Sequence, residues 1–172
     1  MDGSAQGVAQ RLQQLLGALP LHDRSELHAL LYVLFSQQHR FCLRFAEMAS
    51  GTTLQQLLLA VRLYECNGLQ LSGHAAWLLC TLCEHADEAA VESIANAQAM
   101  EVLLRVGLEQ SIYSYCFRVL TIVTRHSADR LKLLCTTGER LLSCFCGKPA
   151  GNVRVGEIFV CVRLGGYFRR FG

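Results

Sequence analysis

A cysteine pair followed by a histidine is the motif in this chain closest to a metal site. Cys80 and Cys83 are separated by two residues, and His85 follows two positions later. Zinc takes four nitrogen or sulfur ligands in a tetrahedron, and Cys-x-x-Cys supplies half of such a set. The other half has no fixed spacing here, and the pair falls in an apolar helical stretch, where buried cysteines are ordinary. We predict no metal and no other cofactor, with Cys80, Cys83 and His85 as a weak zinc candidate.

Histidines are the other residues that could do chemistry. His85 and His126 recur 41 residues apart, and neither has a nucleophile or acid placed beside it in a recognisable motif. Histidine near a helix C-terminus complements the helix dipole, so we interpret both as residues that end helices. Gly165-Gly166 is an isolated pair and not a phosphate-binding loop. We predict that the protein is not an enzyme.

Basic and aromatic residues alternate near the C-terminus. Residues 149–172 include four arginines and one glutamate. Such a segment could stack on RNA bases and neutralise phosphates. Alternatively, the aromatic rings are buried while the arginines reach solvent. We favour this alternative, in which the C-terminal end is an apolar interface. The interface residues are Tyr167, Phe168, Arg169, Arg170 and Phe171.

The elements that position these residues are predicted to be helices. Hydrophobic residues make up 52% of the 172 residues and charged residues 17%, against about 25% charged residues in typical soluble domains. The chain has two prolines, and its formal net charge of +2 selects neither nucleic acid nor a membrane surface. No apolar run approaches the ~18 residues of a membrane span. The composition predicts an all-α fold with no membrane span.

Apolar residues recur at helical spacing along most of the chain. The first stripe stops before Pro20, and Asp23 or Ser25 could cap the second helix. The segment Leu131–Phe145 predicts two short helices around Gly138. The earlier stripes are Leu12–Leu19, Leu27–Phe35, Leu54–Leu63, Ala75–Cys83, Met100–Leu104 and Phe117–Val123.

An internal repeat relates these stripes. A shift of 41 residues superposes His126 on His85, and a shift of 46 residues superposes His74 on His28. A small residue recurs in the same register, at Gly51, Ala97 and Gly138. Periods of this length are typical of helical solenoids, in which each unit buries its apolar face against the next.

Two segments carry a resemblance to a known family. Gly73-His-Ala-Ala-Trp-Leu-Leu-Cys-Thr-Leu-Cys resembles the AAWALSNIA stretch in the third helix of armadillo repeats, and the segment from Ala90 to Leu104 resembles the entry into the second helix. The resemblance implies a short right-handed superhelical solenoid of about four armadillo-like repeats of three helices each. It would form a single domain over residues 1–172, with units at 1–38 (partial), 39–86, 87–127 and 128–172.

The third helices of armadillo proteins line a concave groove. The family's groove residues, Trp and Asn, correspond to Trp77 and Thr81, and the repeat offsets supply their equivalents. The partner-binding set is His74, Trp77, Thr81, Tyr115, Arg118, Ile122, Phe159 and Arg163, with His28, Leu31 and Phe35 as first-unit equivalents. Because Thr81 and Ile122 replace the Asn that holds nuclear localisation signals, the resemblance implies a different ligand, a helical or extended hydrophobic or acidic segment. The alternative is that these side chains simply pack between repeats.

These observations predict a noncatalytic scaffold or adaptor, as a subunit of a larger multiprotein assembly. It would bind protein partners through the third-helix face and the apolar C-terminal end, which could also self-associate. The alternative is a ribonucleoprotein subunit that uses the arginine and aromatic tail, and a thiol- or zinc-regulated switch is a third hypothesis. The polar start Met1–Gln6 and nine cysteines predict an intracellular, reducing compartment, cytoplasmic or cytoskeleton-associated.

Overall fold

The described part of the chain is helical throughout. The computed structural model describes residues 5–37, 45–64, 70–109 and 113–146, and these ranges contain no strand. This confirms the predicted all-α class. None of the helices in these ranges combines the length and apolar character that a bilayer crossing requires. The helices are α1 (Ala5–Gly17), α2 (Ser25–Ser36), α3 (45–48), α4 (Gly51–Leu63), α5 (Leu71–His85), α6 (Glu88–Glu92), α7 (Ala97–Glu109), α8 (Tyr113–Thr124) and α9 (Ala128–Cys146).

Polar side chains fix the starts of three helices. The Ser50 hydroxyl accepts a hydrogen bond from the Thr53 amide at the start of α4 (3.3 Å). The Asp87 carboxylate accepts one from the Ala90 amide at α6 (2.7 Å), and the Asn96 side chain accepts one from the Ala99 amide at α7 (2.9 Å). Each bond satisfies an amide that has no partner inside its helix, so these residues define where the helices begin.

The start of α2 differs in detail from the predicted cap. Arg24 occupies the N-cap position and makes no side-chain capping bond. The Asp23 carboxylate instead accepts a hydrogen bond from the amide of Ser25, the first helical residue (2.8 Å).

The helix α1 ends at Gly17. Leu19, the last residue of the predicted stripe, therefore lies beyond the helix, and it is half-buried.

The helices fall into two compact units, Met1–Ser93 and Ile94–Gly172. In the first unit, α1 packs on α2 and α4, α5 packs on α2 and α4, and α6 packs on α4. Fully buried leucines fill its core, among them Leu12, Leu27, Leu54, Leu57 and Leu78. The helical spacing of these residues places each set on one face, as the sequence predicts.

The second unit contains α7, α8 and α9, and each of these helices packs on the other two. Met100, Val106, Val119 and Leu120 are buried between them. Gly107 allows the closest approach: a Cβ atom added there would lie 3.3 Å from the Cys116 Cβ and 3.4 Å from the Phe117 Cζ. A larger residue at position 107 would therefore push α8 away from α7.

Helix starts repeat along the chain. The helices α4 and α7 begin at Gly51 and Ala97, which are 46 residues apart. The helices α2 and α5 begin at Ser25 and Leu71, which is the same interval. The helices α3 and α6 precede α4 and α7. Gly51 and Ala97 thus open helices of one kind.

The predicted break around Gly138 is wrong. Residues 128–146 form one continuous helix of 19 residues, and Gly138 lies inside it. A glycine in a helix interior costs about 1 kcal/mol relative to alanine. Leu134 and Leu141 on the same helix are buried, and each stabilises the packed helix by about 1.5–3 kcal/mol. Packing therefore outweighs the local preference for a break.

Candidate functional site

Aromatic and histidine side chains meet where α2 packs on α5. His28, Tyr32 and Phe35 lie one turn apart along one face of α2, and His74 and Trp77 lie one turn apart on α5. We call these five residues the α2–α5 cluster. Two of the three predicted binding residues of α5, His74 and Trp77, thus contact residues of α2.

His74 is at the centre of the cluster. Its ring centroid is 5.6 Å from that of His28, 5.0 Å from that of Phe35 and 5.8 Å from that of Tyr32. The two histidines that the 46-residue shift superposes are therefore direct neighbours. His74 itself is 6% exposed, and His28 is half-buried.

Trp77 lies deeper and belongs to the core of the first unit. Its ring makes edge-to-face contacts with Phe35 (5.2 Å between centroids) and with Phe45 of α3 (6.1 Å), and the residue is 5% exposed. Edge-to-face pairs at such distances are stabilising beyond the area they bury. This position matches the packing alternative for Trp77, and its role in partner binding stays a prediction.

The rim of the cluster is accessible. Tyr32 is 55% exposed, the most exposed of the large apolar residues that the structure describes. Thr81 is half-buried, and its hydroxyl donates a hydrogen bond to the Trp77 carbonyl oxygen (3.0 Å). The accessible side chains in this part of the first unit are therefore Tyr32 and Phe35 of the cluster and Thr81, one turn after Trp77 on α5. Tyr32 was not predicted, although its position one turn after His28 places it on the same helical face.

Two ring nitrogens in the cluster are buried without hydrogen-bond partners, Nε2 of His28 and Nδ1 of His74. Burial lowers the pKa of His74 below its ordinary value, and the neighbouring His28 adds to this effect. The cause is physical: burial disfavours the charged imidazolium, and a second positive charge beside it disfavours it further. The neutral form of the His74 ring is therefore favoured near neutral pH.

In the second unit, the predicted groove residues share a face of α8. Tyr115, Arg118 and Ile122 are all half-buried and follow each other at helical spacing. Val119 and Leu120 on the opposite side are buried. The remaining predicted binding residues lie outside the described residues: Phe159, Arg163, Tyr167, Phe168, Arg169, Arg170 and Phe171.

The cysteine motif lies inside a helix. Cys80 and Cys83 are buried on α5, whereas His85 is exposed and contacts the Phe45 ring (6.3 Å between centroids). Burial raises the pKa of the Cys83 thiol far above its ordinary value, with smaller contributions from Cys80 and Glu84. Within the described ranges, no three His, Cys, Asp or Glu side chains converge to hold a metal ion.

The two repeated histidines lie at helix ends. His85 is the last residue of α5. His126 follows the end of α8 by two residues and has a φ of 66°, the left-handed conformation in which chains commonly leave a helix. Both positions agree with the interpretation of these histidines as residues that end helices.

Comparison of the chain with protein-family models, with curated proteins and with solved structures gives no match.

Proposed function

We propose that this protein is a noncatalytic, armadillo-like helical-repeat adaptor that binds a protein partner through its third-helix faces. In this proposal α1, α4 and α7 are second helices, and α2, α5 and α8 are third helices. The observation that carries it is the 46-residue interval that separates the start of α2 from that of α5 and the start of α4 from that of α7.

The packing of the first unit supports the same assignment. The helix pair α1 and α4 is in contact, and so is the pair α2 and α5. Stacking of like helix on like helix is how repeats bury their faces in a solenoid. We propose a right-handed solenoid of about four units on this basis. The long helix α9 departs from the three-helix unit and would act as a variant terminal repeat.

The proposed partner surface has two parts, one in each unit. The first consists of Tyr32 and Phe35 of the α2–α5 cluster and Thr81, one turn after Trp77 on α5. The second is the half-buried face of α8, Tyr115, Arg118 and Ile122. Tyrosine and arginine next to aliphatic residues are the side chains that contribute most to protein interfaces. Such faces suit a hydrophobic segment that carries acidic groups, as the resemblance implies.

Site-specific photo-crosslinking tests this proposal. A benzoylphenylalanine at position 32 should crosslink a discrete partner in cells that express the full chain. Leu59 on α4 is the matched control position, because it is 38% exposed and belongs to a proposed second helix. The partner, once identified, should bind the unlabelled chain, and Tyr32→Ala should weaken binding at least tenfold, about 1.4 kcal/mol.

Two results would contradict the proposal. One is equal crosslinking from positions 32 and 59, which would mean that the proposed face has no preference. The other is unchanged affinity in Tyr32→Ala and in Arg118→Glu, because each variant removes a central contact from one part of the surface. Circular dichroism of both variants confirms that the helices are intact before affinity is compared.

A further inference from the structure

The contact between α2 and α5 includes two neighbouring histidines whose polar atoms are incompletely paired. The His28 and His74 rings are 5.6 Å apart, and each has one buried nitrogen without a hydrogen-bond partner. A neutral imidazole can leave one nitrogen unpaired as an acceptor. A protonated imidazole has two N–H donors, so its charged form would bury a donor with no acceptor.

Among the described residues, the charged groups of α1, of the start of α2 and of α4 pair elsewhere or are exposed. On α1, Arg11 pairs with Glu26 of α2 (2.6 Å), which engages that carboxylate on the protein surface. The Arg24 guanidinium lies over the Tyr64 ring (5.4 Å), and Arg62 of α4 is exposed.

The groups within the two helices are also accounted for. The Tyr32 ring faces His74. Glu84 follows His74 by ten residues on α5, which is about 15 Å along the helix. His28 is the neighbouring ring whose electrostatic effect lowers the pKa of His74 further.

We propose that the His28–His74 pair makes the α2–α5 contact sensitive to acid: as the pH falls below ~6.5, proton uptake by His74 leaves a buried N–H donor without an acceptor and loosens α2 from α5. Nδ1 of His74 has no hydrogen-bond partner, and the charged ring would lie 5.6 Å from the His28 ring. The exposed Tyr32 rim of the same contact would change its shape together with the pair.

The direction of the effect follows from linkage. The pKa of His74 is lower in the closed contact than in an open one, where the ring is hydrated. The closed contact is therefore fully stable above pH ~6.5, the ordinary histidine value, and loses stability as the pH falls below it. Every unit by which the pKa differs between the two states changes the opening constant about tenfold at low pH.

The chain has its own reporter for this opening. Trp77 is its single tryptophan, and it contacts the Phe35 ring that also contacts His74. A buried indole that becomes exposed to water emits at longer wavelength. Acid titration of the full chain should therefore shift the Trp77 emission, with a midpoint below pH ~6.5, while far-ultraviolet circular dichroism stays unchanged.

Histidine variants identify the source of the shift. His28→Gln and His74→Gln keep a polar side chain of similar size without a titrating group. His74→Gln should abolish the shift, whereas His28→Gln should keep it with a midpoint at higher pH, because burial still acts on His74. His22→Gln and His85→Gln are the matched controls, since both residues are exposed, and they should titrate like the parent chain. His85 is the informative control because its ring contacts Phe45, which in turn contacts Trp77.

Three results would overturn the inference: a shift that persists in the double variant His28→Gln/His74→Gln, a shift that disappears in His85→Gln, or a shift that coincides with loss of helical signal. If a glutamine variant fails to fold at neutral pH, nuclear magnetic resonance titration of the histidine ring protons in the unmodified chain decides the matter. A pKa of His74 below the ordinary value supports the inference, and an ordinary value for His74 overturns it. The experiment needs no partner, so it can fail while the proposed function stands.

Discussion

Replacement of Trp77 by alanine should destabilise the protein strongly. The side chain is 5% exposed and contacts Phe35 and Phe45 edge-on. A tryptophan buries up to ~250 Å², which at ~25 cal/mol per Å² gives an upper bound of about 6 kcal/mol. Partial relaxation around the cavity brings aromatic-to-alanine losses in cores to about 3–5 kcal/mol. We therefore expect a loss of about 4 kcal/mol, which lowers Tm by roughly 10 °C in a chain of this size.

Urea unfolding followed by circular dichroism measures this loss, because the variant has no tryptophan to report by fluorescence. Tyr32→Ala is the matched control, since Tyr32 belongs to the same cluster but is 55% exposed. It should cost less than half as much as Trp77→Ala. A loss below about 1 kcal/mol in Trp77→Ala, or an equal loss in both variants, would refute the placement of Trp77 in the core of the first unit.

Further predictions concern local packing, capping and reactivity. Gly107→Ala should fail to stabilise α7 in thermal unfolding, because its new Cβ would lie 3.3 Å from a side-chain atom of α8. Gly17→Ala is the matched control, because its new Cβ would lie 3.7 Å from the nearest atom. It should be neutral or stabilising by up to about 1 kcal/mol. Asp87→Ala should cost about 1 kcal/mol through loss of the α6 cap, and Asp87→Asn should retain most of that stability in the same assay. Cys83 should resist alkylation by iodoacetamide in the native chain at pH ~8 and react on unfolding, since burial raises its thiol pKa. Rapid labelling of the native chain, mapped to Cys83 by mass spectrometry, would contradict the burial of this residue.

Local pattern was enough to predict most helices and their buried faces. The leucines of α1, α2 and α4 recur at helical spacing, and most of them are buried, whereas Leu63 at the end of α4 is 37% exposed. Gly51 and Ala97 were identified as residues that open helices, because a repeat preserves the register of each element, and α4 and α7 begin there. His28 and His74, which the 46-residue shift superposes, are in contact in the structure.

Gly138 marks where local pattern was insufficient. Glycine lowers helix propensity by about 1 kcal/mol, and that local cost pointed to a break. The buried faces of Leu134 and Leu141 outweigh it, and α9 is continuous. Burial energy depends on which neighbouring helix receives the side chain, so no local rule could weigh the two terms.

The sequence by itself determined the helical class, the repeat spacing and the residue types on each helical face, because these depend on the chemistry of neighbouring positions along one chain. Tertiary structure alone decided which residues of the α2–α5 cluster are buried in the core and which are exposed at its rim. Trp77 and Tyr32 both belong to the α2–α5 cluster, yet the first is 5% exposed and the second 55%. The reason is that exposure depends on the depth at which two helices meet, and that depth is set by all the side chains between them.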